Sequence, residues 1–174
     1  MSWETTVADL PPPRTEGEYA VALVCLGNIC RSPMADVVLS ARVDEAGLAG
    51  RVRVASCGTG DWHTGQPMDR RAAATLTAHD YDPTRHRAQL FGPSWLEDHD
   101  LVLAMDEQNL ADVLAGTPGA DRERVRLFRD FDSVDTGGEV PDPYYGGEAG
   151  FEEVLGMVER TSAALVAALQ KELR

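Results

Sequence analysis

One segment of the chain places a cysteine and an arginine at a spacing that could bind and attack an oxyanion. It lies between the apolar run 19–24 and a helical pattern that starts at Pro33, and it reads Cys25-Leu26-Gly27-Asn28-Ile29-Cys30-Arg31-Ser32. Five intervening residues let a loop curl round one tetrahedral anion, with backbone N–H groups inward and the positive helix end behind them. Gly27 and Asn28 tolerate the left-handed backbone that such a curve needs. The segment therefore predicts a phosphate-binding loop after the first strand, with residues 26–30 and Ser32 around the phosphate.

The same electrostatic field favours a nucleophilic thiolate at Cys25. Thiols beside arginine or at a helix N-terminus ionise more readily than free thiols, so Cys25 is expected to be charged at neutral pH. The planar fork of Arg31 can bind two phosphate oxygens, and the Ser32 hydroxyl can donate a hydrogen bond to the sulfur. Taken alone, this spacing also fits a buried cysteine beside a surface arginine. The strand before the segment and the helix after it favour catalysis.

A carboxyl group that could protonate a leaving oxygen and then activate water stands much later in the chain. Asp142 lies in a stretch that two prolines stiffen and two glycines allow to turn, Pro141-Asp142-Pro143-Tyr144-Tyr145-Gly146-Gly147. An aspartate between prolines is also a common turn residue, so spacing alone leaves both roles open. Tyr144 and Tyr145 could form one aromatic wall of a cleft for a phenyl ring, with Trp62 as the opposite wall.

Other side chains could support the loop or change its redox behaviour. Ser56 and His86 could hydrogen-bond to it from behind and hold Asn28 in a strained conformation. Cys30 could form a reversible disulfide with Cys25, which would make the nucleophile redox-sensitive and protect it from over-oxidation. The alternative for Cys30 is a small, buried, apolar side chain.

Short apolar runs that alternate with helical patterns predict the fold. The runs read as strands are 19–24, 52–55, 101–105 and 125–128. Helical spacing predicts a first helix with Met34, Val37, Val38 and Ala41 on its buried face, helices over 68–79 and 107–114, and a long amphipathic C-terminal helix. Strands alternating with helices imply a parallel sheet covered on both faces. Residues 1–18 contain three consecutive prolines and suit a mobile N-terminal arm, so one domain is expected over residues 19–174.

Composition excludes several classes of protein. The 174 residues are 43% hydrophobic and 26% charged, as in an ordinary globular domain, and no run approaches a membrane span. The net charge of −13 argues against nucleic acid or an anionic membrane as partners. Three cysteines and no apolar leader point to the reducing cytoplasm. The cysteines and His63 lack the paired spacings of a zinc site, so no metal is expected, and His63 receives no role.

With these residues in view, the chain resembles the low-molecular-weight protein tyrosine phosphatases over residues 19–173. Residues 25–32 match the nucleophile loop of that family, and Asp142-Pro143-Tyr144-Tyr145 matches its general-acid loop. Met105-Asp106 with Asn109 looks like its turn after a strand. Cys57 is a departure, because many members carry alanine there.

The resemblance implies a three-layer α/β/α sandwich with a four-stranded parallel sheet in the order 2-1-3-4. It implies a cofactor-free phosphotyrosine and aryl phosphate hydrolase that forms a phosphocysteine. Cys25, Arg31 and Asp142 would be catalytic, and Ser56 and His86 would support Asn28. Expected partners are tyrosine-phosphorylated proteins, a bacterial tyrosine kinase among the candidates, with inorganic phosphate as an inhibiting product.

Related activities of the same fold differ at few positions. Protein-arginine phosphatases resemble this pattern but carry threonine where Ile29 stands, so Ile29 favours phosphotyrosine. Thioredoxin-coupled arsenate reductases need a further cysteine pair, and residues 76–100 contain no cysteine. A noncatalytic phosphotyrosine-binding module would be expected to have lost Cys25 or Asp142, and both are present.

Overall fold

Four parallel strands form the centre of the fold in the computed structural model, which describes residues 9–144 and 146–174. The strands are β1 (Tyr19–Cys25), β2 (Val52–Gly58), β3 (Leu101–Ala104) and β4 (Val125–Leu127). They pair in the order β2-β1-β3-β4, which confirms the predicted arrangement. Because all pairs are parallel, the carboxyl ends of the strands meet at one edge of the sheet, where ligands collect in such folds.

Five α-helices in the described part of the chain connect and cover the strands. They are α1 (Arg31–Glu45), α2 (Arg70–Ala78), α3 (Pro93–Asp98), α4 (Glu107–Ala115) and α5 (Glu148–Glu172), with 3₁₀ turns at Gly119–Arg124 and Phe128–Phe131. The helix predicted over 68–79 starts later, because the Asp69 side chain accepts hydrogen bonds from the N–H groups of Arg71 and Ala72 and so caps α2. The sequence analysis missed α3, which has six residues and no side-chain cap at its start.

Both faces of β1 are buried, which explains its continuous apolar sequence. Tyr19, Val21 and Leu23 belong to the larger apolar core, together with residues of α1 and α5. Ala22 and Val24 point the opposite way, into a smaller core with residues of α3 and α4. A strand alternates its side chains between the two faces, so this division places one helical layer on each side of the sheet. The three-layer α/β/α sandwich is therefore confirmed.

The predicted apolar stripe matches the buried face of the C-terminal helix, but it matches that of α1 only in part. The predicted C-terminal helix is present as α5, and its core-facing side includes Phe151, Val154, Leu155 and Val158. In α1, Met34 and Val38 are buried as predicted, but Val37 and Ala41 are only half-buried. The buried apolar residues of α1 are Met34, Ala35, Val38, Leu39 and Val43. This wider face arises because α1 packs against both the sheet and α5.

The predicted N-terminal arm falls partly outside the described residues, since 1–8 are not among them. Its described part contacts the domain at several points. Leu10 packs against the larger core, and the Tyr19 hydroxyl donates to the Pro11 carbonyl at 2.8 Å. The Arg14 N–H donates to the Asp100 carboxylate at 2.7 Å. In the described part of the chain, no helix has the length and apolar character needed to cross a membrane.

A buried carboxylate fastens α5 to the segment that follows β4. The Asp132 side chain is fully buried and accepts hydrogen bonds from Arg160 at 2.8 Å and from the Arg129 Nε at 3.1 Å. These bonds, Arg160 first, hold the pKa of Asp132 well below its usual range. The Arg129 Nη1 also donates to the Glu139 carbonyl at 2.7 Å. The ion pairs therefore fix the path of the chain toward Asp142.

We expect Asp132→Asn to lower the free energy of unfolding by about 3 kcal/mol at pH 7, because it leaves two arginines without their buried carboxylate. The depressed pKa means that the stabilisation is complete above the unfolded pKa of about 4 and is lost as the pH falls below it. Urea denaturation at pH 7 and pH 3 should therefore show the difference from the parent protein shrinking in acid.

The matched control is Asp135→Asn. Asp135 also pairs with Arg129 at 3.0 Å, but its side chain is 66% exposed, so its loss should cost less than about 1 kcal/mol. Equal losses for the two variants, or a difference that grows toward pH 3, would contradict the assignment of Asp132 as a structural anchor.

Candidate active site

The loop of residues 26–30 connects the carboxyl end of β1 to the first turn of α1. Asn28 has a φ of +56°, so the predicted left-handed backbone is confirmed there. The same prediction is wrong for Gly27, whose φ is not positive. Gly27 matters for space instead: a Cβ at this position would lie 3.1 Å from the Cδ2 atom of His63. Asn28 thus supplies the turn of the loop, and any side chain at position 27 would require His63 to shift by a few tenths of an ångström.

Asn28 is buried, and its side-chain amide and its backbone carbonyl bond to the residues that support the loop. Its Nδ2 donates to the hydroxyls of Ser32 at 2.9 Å and Ser56 at 3.0 Å, and its Oδ1 accepts from the Gln89 N–H at 2.9 Å. The His86 Nε2 donates to the Asn28 carbonyl at 2.6 Å. Burial lowers the pKa of His86, against the opposing effect of this bond, so the ring is neutral at pH 7. The structure thus places Ser56 and His86 around Asn28, and it adds Gln89, which the sequence analysis missed.

Two hydrogen-bonding groups contact the sulfur of Cys25. The Asn28 N–H donates to Sγ at 3.2 Å, and the Ser32 hydroxyl lies 3.0 Å from the same atom. The Ser32 hydroxyl also lies 3.3 Å from the Cys57 carbonyl oxygen. A hydroxyl has a single proton, so Ser32 can donate it either to the carbonyl or to the sulfur. A negative charge on the sulfur would favour the second arrangement.

Arg31, the first residue of α1, is buried beside Cys25 and held by two partners. Its Nη1 donates to the Asp106 carboxylate at 2.6 Å and to the Val140 carbonyl at 3.1 Å, while its Nη2 lies 3.7 Å from Asp142 Oδ2. Burial alone would lower the pKa of Arg31, but the negative charges of Cys25, Asp106 and Asp142 outweigh it and raise the pKa. The guanidinium is therefore a fixed positive charge with one edge bound and the other near Asp142.

These groups open into a cleft of about 440 Å³. The residues that line it are Cys25, Leu26, Gly27, Ile29, Cys30, Arg31, Trp62, His63, Asp142 and Tyr144. Trp62, Leu26 and Tyr144 stand at its mouth as exposed apolar side chains. The Asp142 Oδ1 accepts from the Tyr144 N–H at 3.0 Å, which orients the carboxylate on its loop. Tyr145, predicted to share the aromatic wall, lies outside the described residues.

Two residues near this cleft had no predicted role from the residues alone. Asp106 entered only through the family resemblance, although it follows β3 and so had to emerge at the same edge as Cys25. Its other oxygen accepts from the Asn109 N–H at 2.7 Å and caps α4. His63 lines the cleft, with its Nδ1 3.0 Å from the Gln66 Oε1. Its position next to Trp62 was the available signal.

The other cysteines are buried and free. Burial, followed by the charge of Asp69, raises the pKa of Cys30, and burial also raises the pKa of Cys57. Both thiols are therefore protonated at neutral pH. The disulfide between Cys30 and Cys25 stays a prediction. Among the residues that the structure describes, there is no cluster of three or more His, Cys, Asp or Glu side chains that could hold a metal ion.

Comparison with known proteins agrees with this geometry. The family model for low molecular weight phosphotyrosine protein phosphatases matches residues 20–174. The low molecular weight protein-tyrosine-phosphatase of Streptomyces coelicolor is 47% identical over 158 residues, which cover 89% of this chain and 96% of that protein. Low molecular weight protein-tyrosine phosphatase A of Mycobacterium tuberculosis is 46% identical over 141 residues, 80% of this chain and 84% of that protein.

A crystal structure with a similar fold has Hepes in its active site. It is a protein tyrosine phosphatase from Entamoeba histolytica, with a TM-score of 0.85 and 31% identity over 88% of this chain and 98% of that one. An α/β/α fold with a cysteine loop after its central strand defines a class of cysteine-dependent phosphatases. The chain belongs to the low molecular weight phosphotyrosine protein phosphatase family, and it is a protein-tyrosine phosphatase.

Asn28 should be required both for stability and for turnover. We expect Asn28→Ala and Asn28→Gly each to lose about 2–3 kcal/mol of unfolding free energy, because both remove the side-chain bonds to Ser32, Ser56 and Gln89. Alanine should cost about 1 kcal/mol more than glycine, since it must also adopt the left-handed φ. Both variants should hydrolyse aryl phosphates more slowly than the parent.

Urea denaturation and initial rates on one aryl phosphate measure these effects. The pair of variants separates backbone strain from side-chain bonding. If the alanine variant matched the parent in stability and rate, the bonds around Asn28 would not be what shapes the loop.

Proposed function

We propose that the chain hydrolyses phosphotyrosine in proteins through a phosphocysteine formed on Cys25, with Arg31 binding the phosphoryl oxygens and Asp142 transferring the proton. The observation that carries the proposal is the convergence of three groups in one cleft. The Cys25 sulfur lies at its floor, the Arg31 guanidinium lies beside it, and the Asp142 carboxylate lies 3.7 Å from Arg31 Nη2. A nucleophile, an anion clamp and an acid are the parts that phosphoryl transfer to a thiol requires.

In the first step, the Cys25 thiolate attacks phosphorus, so an S–P bond forms as the P–O bond to the tyrosyl oxygen breaks. The leaving oxygen takes a proton from Asp142 and departs as neutral tyrosine. Charge on the equatorial oxygens is stabilised by Arg31 and by the inward N–H groups of the loop, residues 26–30. The fixed positive charge of Arg31 offsets the net charge of −13, which opposes the approach of an anionic substrate.

In the second step, water attacks the phosphocysteine. Asp142, now a carboxylate, removes a proton from that water as the new P–O bond forms. The S–P bond breaks, its electron pair returns to the Cys25 sulfur, and inorganic phosphate leaves. Ser32 supports this departure, because its hydroxyl lies 3.0 Å from the sulfur and can donate a hydrogen bond to the returning thiolate.

The lining of the cleft supports an aromatic phosphate ester as substrate. Trp62 and Tyr144 flank its mouth, and Ile29 gives it an apolar side where arginine phosphatases of this fold carry threonine. We propose that tyrosine-phosphorylated proteins of the cytoplasm are the partners, a bacterial tyrosine kinase being one candidate. Inorganic phosphate should compete with them, because it matches the group that the loop binds.

Cys25→Ser should abolish turnover, with a fall of at least about 1,000-fold in kcat on a phosphotyrosine peptide, because a serine hydroxyl stays protonated in this loop. Cys57→Ser is the matched control and should retain most of the activity, since Cys57 is outside the cleft lining. A phosphoarginine peptide of the same sequence is the competing substrate. Residual turnover by Cys25→Ser near the parent rate, or faster release of phosphate from phosphoarginine, would overturn the proposal.

Asp142→Ala should lower kcat most for substrates with poor leaving groups. A phenolate needs a proton to leave, whereas a nitrophenolate does not, so we expect a loss of about 100-fold or more on phenyl phosphate and a much smaller loss on p-nitrophenyl phosphate. Asp142→Asn, which keeps an oxygen for the Tyr144 N–H, should behave like the alanine variant. A uniform loss across leaving groups would refute the role of Asp142 as the acid.

A further inference from the structure

Arg71 joins the phosphate-binding loop to the loop that carries Asp142. It is the second residue of α2, whose capping residue Asp69 donates its own N–H to the Ile29 carbonyl at 2.9 Å. The start of α2 is therefore bonded to the phosphate-binding loop. The Asp69 carboxylate in turn orients Arg71, with an ion pair of 3.3 Å to Nη2 and a hydrogen bond of 3.3 Å from Nε.

The other contacts of Arg71 are with the loop of residues 141–147 that carries Asp142, here called the acid loop, and with α5, the helix that follows it. Its Nη1 donates to the Gly146 carbonyl at 3.3 Å. Its Cζ lies 5.3 Å from the centroid of the Tyr144 ring and 4.9 Å from that of Phe151 in α5. Tyr144 is the residue whose N–H holds the Asp142 carboxylate. One planar guanidinium thus contacts the acid loop at Tyr144 and Gly146, on the C-terminal side of Asp142.

We propose that Arg71 is a positioning residue that sets the distance between the phosphate-binding loop and the acid loop, so that Asp142 reaches the leaving oxygen. The inference rests on the proposed role of Asp142. Arg71 lies outside the described lining of the cleft, so it acts through Tyr144 and Gly146 rather than on the substrate. The planar guanidinium of arginine suits this role. It can stack on the Tyr144 and Phe151 rings while its N–H groups donate hydrogen bonds in the plane of the guanidinium.

An isolated arginine on a helix surface would be expected to contribute little, and the side chain of Arg71 is 40% exposed. Its contacts differ from such a case because they connect its own helix, α2, to two other elements, the acid loop and α5. Displacements of about 1 Å at a catalytic group can cost roughly 100-fold in rate, so a modest shift of the loop is sufficient to be measured.

The test compares Arg71→Met with Arg70→Met, a change at the exposed neighbouring residue. We expect Arg71→Met to lower kcat on phenyl phosphate by about 10-fold. Its kcat on p-nitrophenyl phosphate and its inhibition by inorganic phosphate should stay within about 2-fold of the parent, because the phosphate-binding loop is intact. Arg70→Met should match the parent in all three measurements. If Arg71 had a purely structural role, kcat would fall equally on phenyl phosphate and p-nitrophenyl phosphate, and that result would overturn the inference.

Arg71→Lys covers the case in which the methionine variant does not fold. Lysine keeps the charge and the length but loses the planar fork, so it should show the same selective loss on phenyl phosphate. When Asp142 is already alanine, Arg71→Met should cause no further loss of kcat on phenyl phosphate relative to p-nitrophenyl phosphate. A further loss in the double variant would contradict a role exerted through Asp142. If Asp142→Ala itself shows no leaving-group dependence, the proposed function fails. If Asp142→Ala shows leaving-group dependence and neither Arg71 variant does, only the positioning role of Arg71 fails.

Discussion

The hydrogen bonds of one buried asparagine shape the phosphate-binding loop, and the active site depends on that shape. Asn28 adopts a left-handed backbone that costs an ordinary residue about 1 kcal/mol or more, and bonds to Ser32, Ser56, Gln89 and His86 offset that cost. These partners come from α1, β2 and the segment after α2. The loop therefore keeps its shape only where separate parts of the chain have already packed together, which explains why its support is spread so widely along the sequence.

The active site carries a local positive charge in a protein whose net charge is negative. The chain carries a net charge of −13, yet its cleft must bind a dianion. Arg31 resolves the conflict because it is buried, bonded at one edge to Asp106 and Val140, and has its other edge near Asp142. Asp106 has two tasks, since one oxygen holds Arg31 and the other caps α4. The anion clamp is thus built into the start of a helix and does not rely on a flexible side chain.

The parts of the fold that were predictable from sequence are those with strong local patterns. The apolar run before Cys25, the Ser-Pro that opens α1 and the long periodicity of α5 fixed the order of strands and helices. By contrast, α3 was missed because six residues without a side-chain cap give no period to detect. The buried face of α1 was misplaced at Val37 and Ala41, because it depends on where α5 packs, and local spacing does not contain that information.

The same distinction applies to the site. Cys25 and Arg31 lie in one continuous segment, so their association could be predicted from the residues. Asp142 was a candidate from its loop, and the family resemblance favoured the acid role over that of a turn residue. His63 and Gln89 come from loops and Arg71 from the first turn of α2, so their meeting depends on the finished fold. His63 had one local signal, its position next to Trp62, whereas Gln89 and Arg71 had none. The pairing of Asp132 with Arg160 spans 28 positions and was equally invisible in the sequence.

The burial of β1 on both faces has a consequence for motion. Every residue of this strand is buried, and it is bonded to β2 on one side and β3 on the other. Segments with such surroundings open only when the whole molecule unfolds, whereas loops at the surface open far more easily. The strand that ends at Cys25 is therefore expected to be among the last parts of the molecule to open. Adjustment to substrates of different shape is expected instead at Trp62 and Tyr144, which line the same cleft and are exposed to solvent.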